Sequence, residues 1–147
     1  MTSPDANPAP LDPALAAWLT GGPHDVDGWA PDPPAAELCC HPDLVARLTA
    51  VARPVRGTSR AFVAGCPVVH HADGRPIACA WGARELVVRS DRPAGALATG
   101  RRVVELDGAW VALDPWAADV AFARATELLR MHVHAAYALA AEAGAWR

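Results

Sequence analysis

The chain predicts an α+β fold: one domain in which an antiparallel sheet of about five strands is covered by a long C-terminal helix, with N-terminal helices packed alongside. Three observations carry that expectation. Residues 61–90 hold β-branched and aromatic runs separated by Gly65, Asp73-Gly74 and Gly82, which reads as three short strands folded back on each other. A second Asp-Gly pair, Asp107-Gly108, separates Val103–Leu106 from Ala109–Leu113 as a further hairpin. Beyond Asp114-Pro115, apolar residues recur at helical spacing to about Ala143, with Gly144 as the stop.

Each element has a local reason. Residues 1–10 contain three prolines and little to bury, so they read as a flexible tail, with residues 11–147 as the domain. Asp12 is placed to cap a short helix with Pro13 at its first position, Leu15, Trp18 and Leu19 on its apolar side and Gly21 at its end. An acidic, proline-rich connection follows, and its lone Trp29 is expected to pin it to the domain. A turn over Ala35–Cys40 leads to a helix over residues 43–52, whose Leu44, Val45, Leu48, Val51 and Ala52 share one side; Arg53-Pro54 ends it.

Within the strand stretch, Asp73-Gly74 suits a two-residue type I′ turn, since Gly takes positive φ freely and Asp tolerates it. That turn sets His70 opposite Ile77, Val68 opposite Cys79 and Cys66 opposite Trp81. Cys66, Val68, His70, Ile77, Cys79 and Trp81 then share one face, with Val69, His71, Ala78 and Ala80 on the other. The terminal helix should lay Phe122, Ala125, Leu129, Val133, Ala136, Tyr137 and Ala140 on the sheet, leaving Arg124, Glu127, Arg130 and His134 in solvent.

Composition narrows the function classes. At 147 residues, 52% hydrophobic and 20% charged, the chain suits a single globular domain. No uncharged apolar run reaches the roughly 18 residues of a membrane span, and the first residues do not form a signal peptide, so a cytoplasmic location and no membrane partner are expected. Four cysteines are too few for a secreted disulfide scaffold of this length, and reduced thiols are expected. The net charge of −3 is uneven: residues 53–104 carry nine arginines against three acids, while residues 1–52 carry seven acids and one arginine. Folding of the acidic flanks over the basic centre would neutralise it, which disfavours a polyanion partner.

Cys66, His70, Cys79, Trp81 and His132 are the candidate ligand or pocket residues, brought together if the helix lies on the face that holds the first four. Cys66, Cys79 and His70 have the chemistry of a soft-metal site, but cysteines on a buried sheet face more commonly fill space, and no metal or other cofactor is expected. Arg56, Arg60, Arg84, Arg89, Arg101 and Arg102 are the candidate anion-binding residues. Arg56-Gly57-Thr58-Ser59-Arg60 lacks the spacing of a phosphate-binding loop, and no nucleophile elbow or HExxH motif is present.

Phe62, Gly65, Gly74, Ile77, Ala78, Leu86, Val88 and Arg89 follow a pattern that resembles the N-terminal domain of the TfoX/Sxy family and the related YjbR-type small domains, although Val63 and Ala64 stand where a glycine belongs. The resemblance covers about 30 residues. It implies a small α+β domain and, from the TfoX-type proteins, a role in regulation; it brings no catalytic residues. A weaker similarity to the luciferase-domain family, in the Gly-turn strands and in the helix carrying Tyr137 and Ala138, keeps an enzyme reading open. The leading expectation is a non-enzymatic interaction or regulatory module with an unidentified protein partner. The alternatives are a small-molecule- or metal-binding protein or small enzyme using the sheet–helix face, and an anion or nucleic-acid binder using the basic centre.

Overall fold

The computed structural model describes residues 11–82, 85–90, 102–106, 109–113 and 122–145, with the side chains of 102–105, 109, 122–125, 128 and 143–145 left aside. Helix α1 (Pro13–Thr20) begins as its sequence dictates: Asp12 Oδ1 accepts from the backbone N–H of Ala14 at 2.8 Å and of Leu15 at 3.3 Å. A 3₁₀ turn (Ala35–Glu37) precedes α2 (Pro42–Ala52), where His41 Nδ1 accepts from the Asp43 N–H at 3.1 Å.

Among the described residues six strands follow: β1 (Ser59–Val63), β2 (Cys66–His70), β3 (Pro76–Trp81), β4 (Glu85–Arg89), β5 (Arg102–Glu105) and β6 (Ala109–Leu113). They form one sheet in the order β1-β2-β3-β4-β6-β5, every neighbour antiparallel. The 61–90 stretch therefore holds four strands, where the sequence reads as three. The extra corner is Ala64-Gly65, whose φ values of 52° and 79° form a tight two-residue connection with Val63 opposite Cys66.

The two-residue turn expected at Asp73-Gly74 is instead a three-residue loop. The Gly74 N–H donates to the His71 carbonyl and the His71 N–H to the Arg75 carbonyl, both at 2.8 Å, with Gly74 at φ 93°. Val68 still faces Cys79, but His70 faces Pro76 rather than Ile77, across a bulge between Val69 and His70. Pro76 has no N–H to add to the ladder, so the strand regains regular pairing only after it.

Helix α3 (Phe122–Ala145) runs through Gly144 rather than stopping there; a glycine in the last turn costs little when the helix is already propagated. Its expected start at Asp114-Pro115, and the Asp107-Gly108 turn, lie outside the described residues. Leu129, Val133, Ala136 and Ala140 are buried, and Glu127, Arg130 and His134 are exposed, as the helical spacing predicts. The Arg130 Nη1 to Glu127 Oε2 distance is 2.8 Å. Strands β2, β3 and β4 are buried almost throughout, and they join Leu15, Leu19, the apolar side of α2 and the buried side of α3 in one core.

The sheet has helices on both faces. His70 turns toward α1, where it meets Trp18, while the adjacent His71 turns toward α3, where its ring lies 4.4 Å from that of Tyr137. Helix α2 shares the α3 side: Arg60, opposite Val69 in the ladder, reaches Thr49 from there. Among the described residues no helix is long and apolar enough to cross a membrane.

Candidate functional site

His70 is fully buried and sits in a cluster of three rings. Trp18 Nε1 donates to His70 Nε2 at 2.9 Å. His24 stacks on Trp18 with ring centres 3.7 Å apart, and its Nε2 lies 2.7 Å from the Trp18 carbonyl. An indole N–H can only donate, so His70 Nε2 must be an acceptor and the neutral ring carries its proton on Nδ1. Burial, reinforced by the neighbouring His24 and opposed by the Val68 backbone, lowers the His70 pKa to about 4. The ring is therefore a neutral clasp holding α1 and the following connection onto the sheet. His24 is itself anchored, since its N–H donates to the Gly74 carbonyl at 2.8 Å.

Cys66, His70 and Cys79 share a sheet face as the sequence predicts, and the half-buried Trp81 packs against the core at the end of β3. His132 does not join them, because α3 covers the opposite face. Burial alone pushes its pKa down. The pocket expected between sheet and helix from these five residues thus has the sheet running through it. Among the described residues no group of three or more His, Cys, Asp or Glu is arranged to hold a metal. All four cysteines are free thiols.

The arginines do not converge either. Arg60 is only 6% exposed and is occupied inside the protein: Nη1 donates to Thr49 Oγ1 at 2.6 Å, and Nη2 to the Ala30 carbonyl at 2.6 Å and Asp32 Oδ1 at 2.7 Å. Trp29 and Phe62 lie 5.3 and 4.8 Å from its guanidinium. Arg60 thereby fastens the acidic connection to the edge of β1, where the Ala30 N–H also donates to the Arg60 carbonyl at 2.9 Å. Arg89 Nε donates to the Pro76 carbonyl at 3.3 Å and its guanidinium lies 4.5 Å from the Trp110 ring. The ladder from Arg60 through Val69 and Ala78 ends at Val88, so the next residue, Arg89, faces the other side. Arg56 is exposed in the turn before β1. Arg84 and Arg101 lie outside the described residues, and Arg102 opens β5 with its side chain undescribed.

Two arrangements escape the sequence reading. The first is a polar knot at the β2–β3 loop: His71 Nδ1 lies 2.9 Å from Asp73 Oδ1, and Arg75 Nε 3.3 Å from Asp73 Oδ2. Burial opposes the Asp73 charge, but the Arg75 N–H, the His71 ring and the Arg75 guanidinium together hold its carboxyl below the usual value. Arg75 Nη1 also donates to the Ala140 carbonyl at 3.2 Å, tying this loop to α3.

The second is an open, almost wholly apolar groove of about 220 Å³ between α2 and α3, lined by Ala46, Arg47, Ala50, Val51, Thr126 and Leu129. Arg47 Nη1 donates to Thr126 Oγ1 at 3.4 Å across it. Ala46 and Ala50 are exposed. In the sequence they sit on the outer side of α2, and only the placement of α3 makes them a wall.

Comparison of the chain with family models, with curated proteins and with solved structures found no match.

Proposed function

We propose that this protein is a non-enzymatic, cytoplasmic interaction module of the regulatory kind that the TfoX-like resemblance implies, and that it receives a helix of a partner protein in the α2–α3 groove. The observation that carries this reading is the groove itself: about 220 Å³, open and apolar, with exposed alanines 46 and 50 one helical turn apart. Small side chains at that spacing let a third helix approach closely and seat a large apolar side chain between the two ridges. Arg47, held at the rim by Thr126, offers positive charge to an acidic residue beside that anchor.

Among the described residues, three of the polar groups named for the other readings are engaged within the fold. His70 accepts from Trp18, Arg60 is spent on Thr49, Ala30 and Asp32, and Arg89 caps Trp110. A photo-crosslinking residue at Ala50 should capture one recurring protein, and the same residue at Ala17, on the exposed side of α1, should not. Equal capture from both positions, or none from Ala50, would contradict the proposal.

A further inference from the structure

We propose that Cys40 and Cys66 form a peroxide-oxidisable thiol pair, a disulfide site that ties the start of α2 to the central sheet. The backbone fixes their approach. The Cys39 N–H donates to the Gly65 carbonyl at 3.0 Å, Cys40 makes a parallel bridge with Gly82, and the His41 N–H donates to the Gly82 carbonyl at 2.9 Å. The short segment 39–41 is therefore pinned between two sheet corners. Cys66 Sγ lies 3.7 Å from the Cys39 carbonyl oxygen, against the peptide that leads into Cys40, which sets the Cys40 and Cys66 thiols close enough to perturb each other's ionisation. Gly65 is required for this approach, because a Cβ there would collide with the Glu37 carbonyl and with Cys39.

The four thiols are not equivalent. Cys39 is exposed, Cys40 is 9% exposed, and Cys66 and Cys79 are fully buried. The Cys66 S–H favours negative charge on Cys40, holding its pKa below the ordinary thiol value although burial works the other way. The same contact, followed by burial, raises Cys66, and burial pushes Cys79 up to about 12. Cys40 is thus nearly but not fully buried, and of the two paired thiols it is the one whose thiolate is favoured.

The Cys40 thiolate attacks one oxygen of hydrogen peroxide; the O–O bond breaks, hydroxide leaves and takes up a proton, and Cys40 becomes a sulfenic acid. The charge that held the Cys66 proton is then gone. The Cys66 sulfur attacks the Cys40 sulfur, the S–O bond breaks, and the sulfenic oxygen departs as water with the Cys66 proton. Two thiols and one peroxide give one disulfide and two waters. The bond closes a loop that contains all of α2, and it forms whether or not the groove binds a partner.

The test is peroxide treatment of the reduced full-length protein, quenching with N-ethylmaleimide and peptide mapping without reductant. The expected result is loss of two of the four free thiols, with the Cys40 and Cys66 peptides joined and released again by dithiothreitol. Cys79→Ser should keep the cross-link, and Cys66→Ser should leave a Cys40 sulfenic acid that dimedone captures. Consumption of Cys39 alone, a bond between any other two cysteines, or four thiols surviving would overturn the proposal. The native sequence reports the cross-link directly, so the result stands even where a Ser variant fails to fold.

Discussion

His70 illustrates how one side chain can hold an element in place while remaining uncharged. Its pKa falls from the ordinary 6.5 to about 4 in the folded protein. The unfolded chain therefore binds a proton that the folded chain refuses between these values. Stability is at its full value above pH 6.5 and is lost as pH falls to 4, by roughly 3 kcal/mol at about 1.36 kcal/mol per unit. Urea unfolding at pH 7 and at pH 4.5 should show that decline. In His70→Gln, whose side-chain oxygen still accepts from Trp18, the difference between the two pH values should shrink markedly. Arg60 is the second side chain on which a whole segment depends. Arg60→Ala removes three hydrogen bonds and leaves Thr49 and Ala30 without their donor, so a loss of roughly 2–4 kcal/mol is expected in urea unfolding. Asp32→Ala should cost under about 1 kcal/mol, because that carboxylate is 63% exposed. None of these partnerships is legible in sequence: Trp18 and His70 lie 52 positions apart, and Trp18 reads only as part of the apolar side of α1.

At the scale of elements, what local chemistry dictates is legible and what register dictates is not. Asp12-Pro13 announces the start of α1, and Leu129, Val133, Ala136 and Ala140 announce the buried side of α3, because capping and helical spacing depend on near neighbours. Asp73-Gly74 announces a turn, yet its length follows from the His71–Arg75 pair and from Pro76, which cannot join the ladder. The glycine there does more than bend the chain: a Cβ on Gly74 would strike the His24 carbonyl. Gly74→Ala should therefore lower stability by at least about 2 kcal/mol and loosen the connection after α1, read as faster amide exchange at His24. Gly28, at φ 74° with nothing within 4 Å of a new Cβ, provides the comparison. Gly28→Ala should cost only about 1 kcal/mol of backbone strain.

For the whole molecule, one ion pair links the acidic flank to the basic centre: Asp32 meets Arg60 at 2.7 Å. The α+β class and the covered antiparallel sheet follow from patterns that the sequence carries openly. The candidate site was only partly legible. Cys66, His70 and Cys79 do share a face, but His132 lies across the sheet from them, since helical spacing shows which side of α3 is apolar and says nothing about which face of the sheet receives it. The α2–α3 groove was invisible for the same reason, as Ala46 and Ala50 become a wall only once α3 is laid beside them. The most direct measurement is the affinity of the protein captured from Ala50 for the native chain and for Ala50→Arg, with urea unfolding of both chains alongside. An arginine at this exposed position should fill the groove with charge, weakening binding by about tenfold or more while leaving the unfolding midpoint nearly unchanged. Undiminished binding by a folded Ala50→Arg chain would contradict the account.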